Sequence, residues 1–270
     1  MSSLKVAASN GRRIVDVPMG EGGLRYVGFS AQRLADGEKI ALDSGADELC
    51  IVILSGKVSA DVESAEGCMS WADIGDRASV FDDKSPFAIY IPPQSSLRIV
   101  ARGDAELAVA RGPGGPGSAA ARLIEPAQMK RSVRGVGSNT RYVCDILPQT
   151  EPAHSLLVVE VITPPGNSSS YPPHKHDSDN IPKESQLEET YYHRLNPSQG
   201  FAFQRVYTDS RDLDESICVE DHDVVKVPRG YHPVVVPHGY TSYYLNVMAG
   251  PTRVWHFHND PAHEWMLTAN

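Results

Sequence analysis

Residues 48–56 read Glu-Leu-Cys-Ile-Val-Ile-Leu-Ser-Gly (ELCIVILSG). The apolar run is short, rich in β-branched residues and ended by a Ser-Gly turn pair, which is the pattern of a strand. Cys50 inside it reads as a small core residue. Outward from this stretch the same rhythm recurs. Strand-like runs at 24–29 and 38–42 precede it, and 57–62, 88–91, 96–101 and 106–110 follow, with Gly, Pro or Asp between them. Short strands at this spacing predict an all-β sandwich or barrel.

Residues 111–122 (RGPGGPGSAAAR) interrupt the rhythm, since little in them could bury a face. They predict a division into a unit over 1–115, a linker over 116–124 and a second unit over 125–270. The second unit opens its own series of strands at 140–146, 155–163, 189–193, 200–208, 223–227, 234–236, 240–248 and 252–257. The runs ELCIVILSG and EETYYH hold similar places in the two halves, as do YIPP (90–93) and VPRG (227–230). That parallel layout predicts two copies of one β-barrel unit. The acidic run 209–220 reads as a solvated loop.

Composition narrows the function. The 270 residues are 41% hydrophobic and 22% charged, an ordinary globular balance. The formal charge is −9 and no basic cluster stands out, which argues against nucleic-acid binding. An anionic substrate would need a local positive centre. The four cysteines, Cys50, Cys68, Cys144 and Cys218, show no CxxC pairing. No signal-peptide core and no membrane-length apolar run is evident, so a cytoplasmic protein without membrane partners is expected.

The chemistry gathers in the second half. In YPPHKHDSDN (171–180), His174 and His176 are two residues apart, so on a strand both rings face one side and Lys175 faces the other, towards the surface. Glu188 and Glu189 open the strand EETYYH, and a Pro-x-Gly turn at 228–230 leads into His232. Three imidazoles and a carboxylate suit a first-row divalent metal, and a shell with room for substrate is catalytic rather than structural. His193 reads as a hydrogen-bonded pocket or core residue. His256, His258 and His263 form a looser cluster without a matching carboxylate, and His154, His222 and His238 sit in turn or polar contexts.

This order of motifs resembles the cupin signature. PPHKHD, EETYYHRLNP, QGFAFQRVYTD, VPRGYHPV, GYTSYYLNVMAGPTR and FHNDPAHEW are similar to the 5-deoxyglucuronate isomerase family of myo-inositol catabolism, itself related to the 5-keto-4-deoxyuronate isomerases. The close match covers residues 155–266. The resemblance implies a bicupin: two tandem cupin (double-stranded β-helix) barrels, with metal in the C-terminal one only. It implies His174, His176, Glu189 and His232 as ligands to one divalent ion, zinc, manganese, iron, cobalt or nickel. Glu189 is preferred to Glu188 because Glu189-Thr190-Tyr191 fits the family's Glu-x-Tyr. The implied reaction is the aldose–ketose conversion of 5-deoxy-D-glucuronate to 2-deoxy-5-keto-D-gluconate.

Proximity makes Glu188, Tyr191 and His193 the candidates for proton transfer. Arg205 and Tyr240 are candidates for contact with a small sugar-acid substrate, although an ion pair and core packing explain them equally well. The hydrophilic insertion DSDNIPKESQLE between the histidines and the glutamates predicts a loop at the site mouth, and an aromatic residue expected near Ser168 is missing. The first half carries no ligands, reading LDSGAD and QSSLRIV where they would fall, so packing or an interface is its expected role and a homo-oligomer is left open. Two other classes share such a site: cupin dioxygenases and non-catalytic sugar-binding bicupins.

Overall fold

The computed structural model describes residues 2–20, 24–116 and 119–268. Residues 117–118 of the expected linker therefore lie outside the described residues. The chain is all-β, with three short 3-10 turns and no longer helix among the described residues. None is long and apolar enough to cross a membrane.

Four sheets form four layers. A six-stranded sheet runs in the order Arg122–Ile124, Ala88–Ile91, Asp47–Ser55, Ala105–Pro113, Gly28–Leu34, Arg13–Val17. On its outer side lies a four-stranded sheet of Lys39–Asp43, Ser96–Ala101, Val58–Ser64 and Gly67–Ile74. Leu49, Ile51, Ile53, Leu107 and Val109 of the first pack against Val58, Val62, Leu97 and Ile99 of the second. The other inner layer is a seven-stranded sheet: Lys5–Val6, Val224–Val227, Glu188–Asn196, Thr241–Ala249, Leu157–Thr163, Arg141–Leu147, Lys130–Arg134. It carries the second outer sheet, Ser168–Ser169, Val234–Val235, Ala202–Tyr207 and Asp214–Val219.

The two inner sheets face each other, and Cys50, Val52, Leu54, Tyr90, Ala108 and Ala110 meet Val158, Tyr192, Tyr243, Leu245 and Val247. This explains the unbroken apolar run of ELCIVILSG. An inner-layer strand buries both faces, so it shows no alternation, and residues 48–54 are all buried.

The expected pair of cupin barrels is not what the chain forms. Each sheet is open. In the six-stranded sheet Arg122–Ile124 and Arg13–Val17 each pair on one side only, as do Lys39–Asp43 and Gly67–Ile74 in the sheet facing it. A barrel needs the hydrogen-bond ladder to continue around a ring. Here the ladders stop at the sheet edges, and apolar contact between faces joins the layers instead. Lys5–Val6 pairs with Val224–Val227, and Arg122–Ile124 pairs with Ala88–Ile91. The acidic run 209–220 is no simple loop either: Asp214–Val219 pairs along Ala202–Tyr207, with Ile217 and Val219 turned inward.

Candidate active site

The face of the seven-stranded sheet turned towards its outer sheet supplies the floor of a cavity of about 310 Å³. Strand alternation sets which side chains reach it. Along Glu188–Asn196, Tyr191 and Leu195 belong to the core shared with the outer sheet, whereas Tyr192 belongs to the core between the inner sheets. Glu189 is on the Tyr191 side and lines the cavity. Glu188 points the other way, and its Oε2 accepts from the Arg25 and Tyr26 N–H groups at 2.6 and 2.7 Å.

His174 and His176 arrive on a short ribbon in which His174–Lys175 pairs with His258–Asn259. Lys175 faces away from the rings, as alternation requires. It is buried rather than on the surface, 2.9 Å from Asp177 and 3.5 Å from both Glu184 and Asp209. The hydrophilic insertion is a hairpin, Asp177–Asn180 against Glu184–Gln186. His232 follows the Pro-Arg-Gly turn. Gly230 has φ +92, and a Cβ there would fall 2.4 Å from the Tyr207 carbonyl oxygen, so the turn can approach Tyr207 only as glycine.

These elements bring His174, His176 and His232 together, with their potential ligand atoms within 4.8 Å of one another. Among the described residues they are the one cluster of this kind, and His256, His258 and His263 do not form another. Backbone carbonyls fix the ring tautomers. His176 Nδ1 donates to Leu187 O at 3.0 Å and His232 Nδ1 to Gly230 O at 2.8 Å, since a carbonyl can only accept. Their Nε2 atoms therefore turn inward.

Glu189 Oε2 sits between those nitrogens, 3.1 Å from His176 and 3.2 Å from His232. The His232 Nε2 is buried without a hydrogen-bond partner. Burial lowers the His174 and His232 rings to about 3, at His174 with the help of the neighbouring His176 and at His232 against the pull of the Glu189 carboxylate, so both are neutral. Burial also works against charge on His176, but the Glu189 carboxylate outweighs it and raises that ring. The unpartnered Nε2 of neutral His232 and the carboxylate oxygen aimed at it repel unless a cation stands between them. The residues present thus fit a divalent metal, and their other ring nitrogens have the carbonyl partners that orient metal-binding histidines.

The remaining expected residues are dispersed. Tyr191 lines the cavity, and its hydroxyl lies 3.0 Å from Ser170 Oγ. Burial and then the Glu189 charge raise its pKa well above the usual phenol value. His193 is one step deeper, with Nε2 bonded to Gln204 Oε1 at 3.0 Å. Arg205 is on the outward side of its strand, paired with Asp214 at 2.7 Å. Tyr240 packs on Phe201 at 5.4 Å between ring centres, outside the cavity. Arg134, Arg141, Asn246, Trp255 and Phe257 line the cavity and were not singled out from the sequence. Arg134 and Arg141 come from strands whose pairing no local motif announces, and Trp255 and Phe257 from an irregular C-terminal segment.

Comparison with known proteins gives the family. The family model of the KduI/IolB family matches residues 2–266. The 5-deoxy-glucuronate isomerase of Geobacillus kaustophilus is 50% identical over 91% of this chain and 87% of that protein. That of Bacillus subtilis strain 168 is 50% identical over 96% of this chain and 94% of its own. The crystal structure of an IolB-like protein from Salmonella typhimurium LT2 has a TM-score of 0.95 at 44% identity, covering 98% of this chain and 100% of that one. An oxalate decarboxylase from Lactobacillus farciminis has a TM-score of 0.70 at 12% identity, over 100% of this chain and 91% of that one. That second likeness shows the fold alone. Fold, histidine cluster and relatives together define an enzyme of the isomerase class. The chain belongs to the KduI/IolB family.

Proposed function

We propose that this chain converts 5-deoxy-D-glucuronate to 2-deoxy-5-keto-D-gluconate in myo-inositol catabolism. One divalent ion, zinc, manganese, iron, cobalt or nickel, is held by His174, His176, Glu189 and His232. The observation that carries the reading is the convergence of three neutral-capable imidazoles and one carboxylate at the end of a cavity of about 310 Å³. Relatives about half identical over nearly the whole chain are 5-deoxy-glucuronate isomerases.

A bound ion would supply Lewis-acid polarisation of the carbonyl and hydroxyl oxygens on the two adjacent carbons between which the hydrogen moves. The protein's own part is positioning. Leu187 O and Gly230 O hold two rings in the ligating tautomer. Tyr191 keeps its proton and donates to a substrate oxygen, so it serves as a donor rather than as the base. Phe257, 4.7 Å from the His174 ring, and Trp255 shield the reacting end from water.

In this reading the chain divides into units of 1–115 and 125–270 joined by 116–124, works in the cytoplasm, and leaves the catalytic residues to the second unit. The compatible assemblies include a homo-oligomer.

The test is metal analysis of the purified protein, then an anaerobic NMR assay with 5-deoxyglucuronate. His232→Ala should lose most of the metal. Glu189→Gln should weaken metal binding and lower turnover by orders of magnitude, because metal charge stabilisation is worth several kcal/mol. Oxygen uptake without aldose–ketose conversion would replace the isomerase by a dioxygenase.

A further inference from the structure

Across the sheet that floors the cavity, Arg141 and Arg134 stand three and four strands away from Glu189, in an arrangement that the protein alone leaves unbalanced. Arg134 and Arg141 are directly opposite each other on the paired strands Lys130–Arg134 and Arg141–Leu147. Like charges at such a pair destabilise it. Arg134 is partly relieved, with Asp145 at 3.6 Å and the Trp255 ring at 5.7 Å. Arg141 has no carboxylate partner among the described residues. Its Nη1 bonds only to the Asn139 carbonyl and side-chain oxygens, at 3.0 and 3.1 Å. Both are neutral acceptors.

The guanidinium is half-buried and lines the cavity. Burial and then the Arg134 charge work against it, and its pKa is lowered. Gly135, with φ +75, lies beside it: a Cβ there would stand 2.0 Å from the Asn139 carbonyl oxygen that Arg141 bonds and 2.7 Å from Arg141 Nη1. Two further donors in the same cavity, Asn246 Nδ2 and Trp255 Nε1, are buried without partners.

We propose that Arg141 is the carboxylate anchor of this site, selecting a sugar acid over the corresponding neutral sugar. The inference rests on the isomerase reading and adds the group that sets substrate class and orientation. The carboxylate of the substrate docks on Arg141, with Arg134 beside it. The carbonyl end then reaches His174, His176 and His232. Asn246 and Trp255 donate to hydroxyl oxygens between the two ends. Glu189 stays clear of the substrate's negative charge because Arg141 stands three strands away from it. The guanidinium suits this role because its fixed donor fork matches a carboxylate bidentately, which a lysine ammonium cannot do.

The test uses the purified metal-containing protein and its Arg141→Gln and Arg141→Lys variants. Two substrates are compared: 5-deoxy-D-glucuronate and 5-deoxy-D-glucose, the same chain with a primary alcohol in place of the carboxylate. An anchor distant from the reacting carbons contributes uniform binding, so its loss appears in KM rather than kcat. Arg141→Gln should raise KM for the acid about 10- to 100-fold, the range for a charged hydrogen bond. It should change kcat little and leave the neutral sugar unaffected. Arg141→Lys should fall between.

An unchanged KM for the acid in either variant would overturn the proposal, as would equal losses for acid and alcohol. Calorimetric titration with 5-deoxyglucuronate separates this proposal from the isomerase reading. If the wild type binds but does not convert the acid, the reaction assignment fails. The anchor is then decided by Kd, which a 10- to 100-fold rise in Arg141→Gln supports and an unchanged value refutes. A wild type that does not bind the acid refutes the anchor as well.

Discussion

His193 Nε2 donates to Gln204 Oε1, so Nδ1 carries no proton, and that atom is buried without a partner. Burial lowers this ring from 6.5 to about 4. The folded pKa lies below the unfolded one, so the neutral ring contributes stability above pH 6.5 that is lost as pH falls towards 4. The whole contribution is up to about 3 kcal/mol. His193→Asn keeps a donor for Gln204 but cannot titrate, so its melting temperature should fall less than the wild type's between pH 7 and pH 4. Equal slopes in a calorimetric series would refute this. The same strand shows what single residues reveal in sequence. Alternation puts Glu189 and Glu188 on opposite faces, and the structure turns them to opposite sides. Arg141 carries no such mark. Its meaning comes from Arg134 across the strand pair and from a missing carboxylate, and both are facts of tertiary pairing.

The turn at 228–230 shows how an element delivers a ligand. Gly230 N donates to Asp177 Oδ2 at 2.7 Å, and its carbonyl accepts from His232 Nδ1. The turn therefore ties the hairpin after His176 to the ring of His232. Gly230→Ala would need a left-handed backbone and a Cβ 2.4 Å from Tyr207 O. The strain costs about 1–3 kcal/mol, and the shift moves His232. Metal content should drop with only a modest fall in melting temperature. Full metal occupancy by elemental analysis would count against this coupling. The Pro-x-Gly spacing made the turn legible in the sequence. Sheet closure was not legible, because alternation tells which face of a strand is buried but not whether an edge finds another edge. Arg13–Val17 and Gly67–Ile74 end their ladders, and nothing in their composition distinguishes an open edge from a closed seam. Asp214–Val219 was hidden for a related reason: DESICV buries only Ile217 and Val219, too little to stand out from the acidic run around it.

At the scale of the molecule, buried polar clamps join the two inner layers. Glu48 accepts from the His154, Ser155 and Leu156 N–H groups at 2.7–2.8 Å. Arg77 makes two bonds to Glu160, at 3.0 and 3.1 Å, and Tyr243 donates to the same carboxylate at 3.0 Å. Both partners are buried, with side chains 2% and 8% exposed, so removing one leaves a charge without water or partner. Arg77→Met or Glu160→Met alone should cost about 3–5 kcal/mol. The double variant should cost less than the sum, since apolar replacement of a whole buried pair is often near neutral. Glu160 faces the core between the inner sheets, whereas Val159 and Val161 on the same strand line the cavity. The loss should therefore appear in stability while KM at 25 °C stays close to wild type. Denaturant unfolding of the four proteins, paired with KM measurements, tests both statements. Additive losses would mean that Arg77 and Glu160 act independently. A large KM change at full folding would mean that the strand transmits the damage from one face to the other.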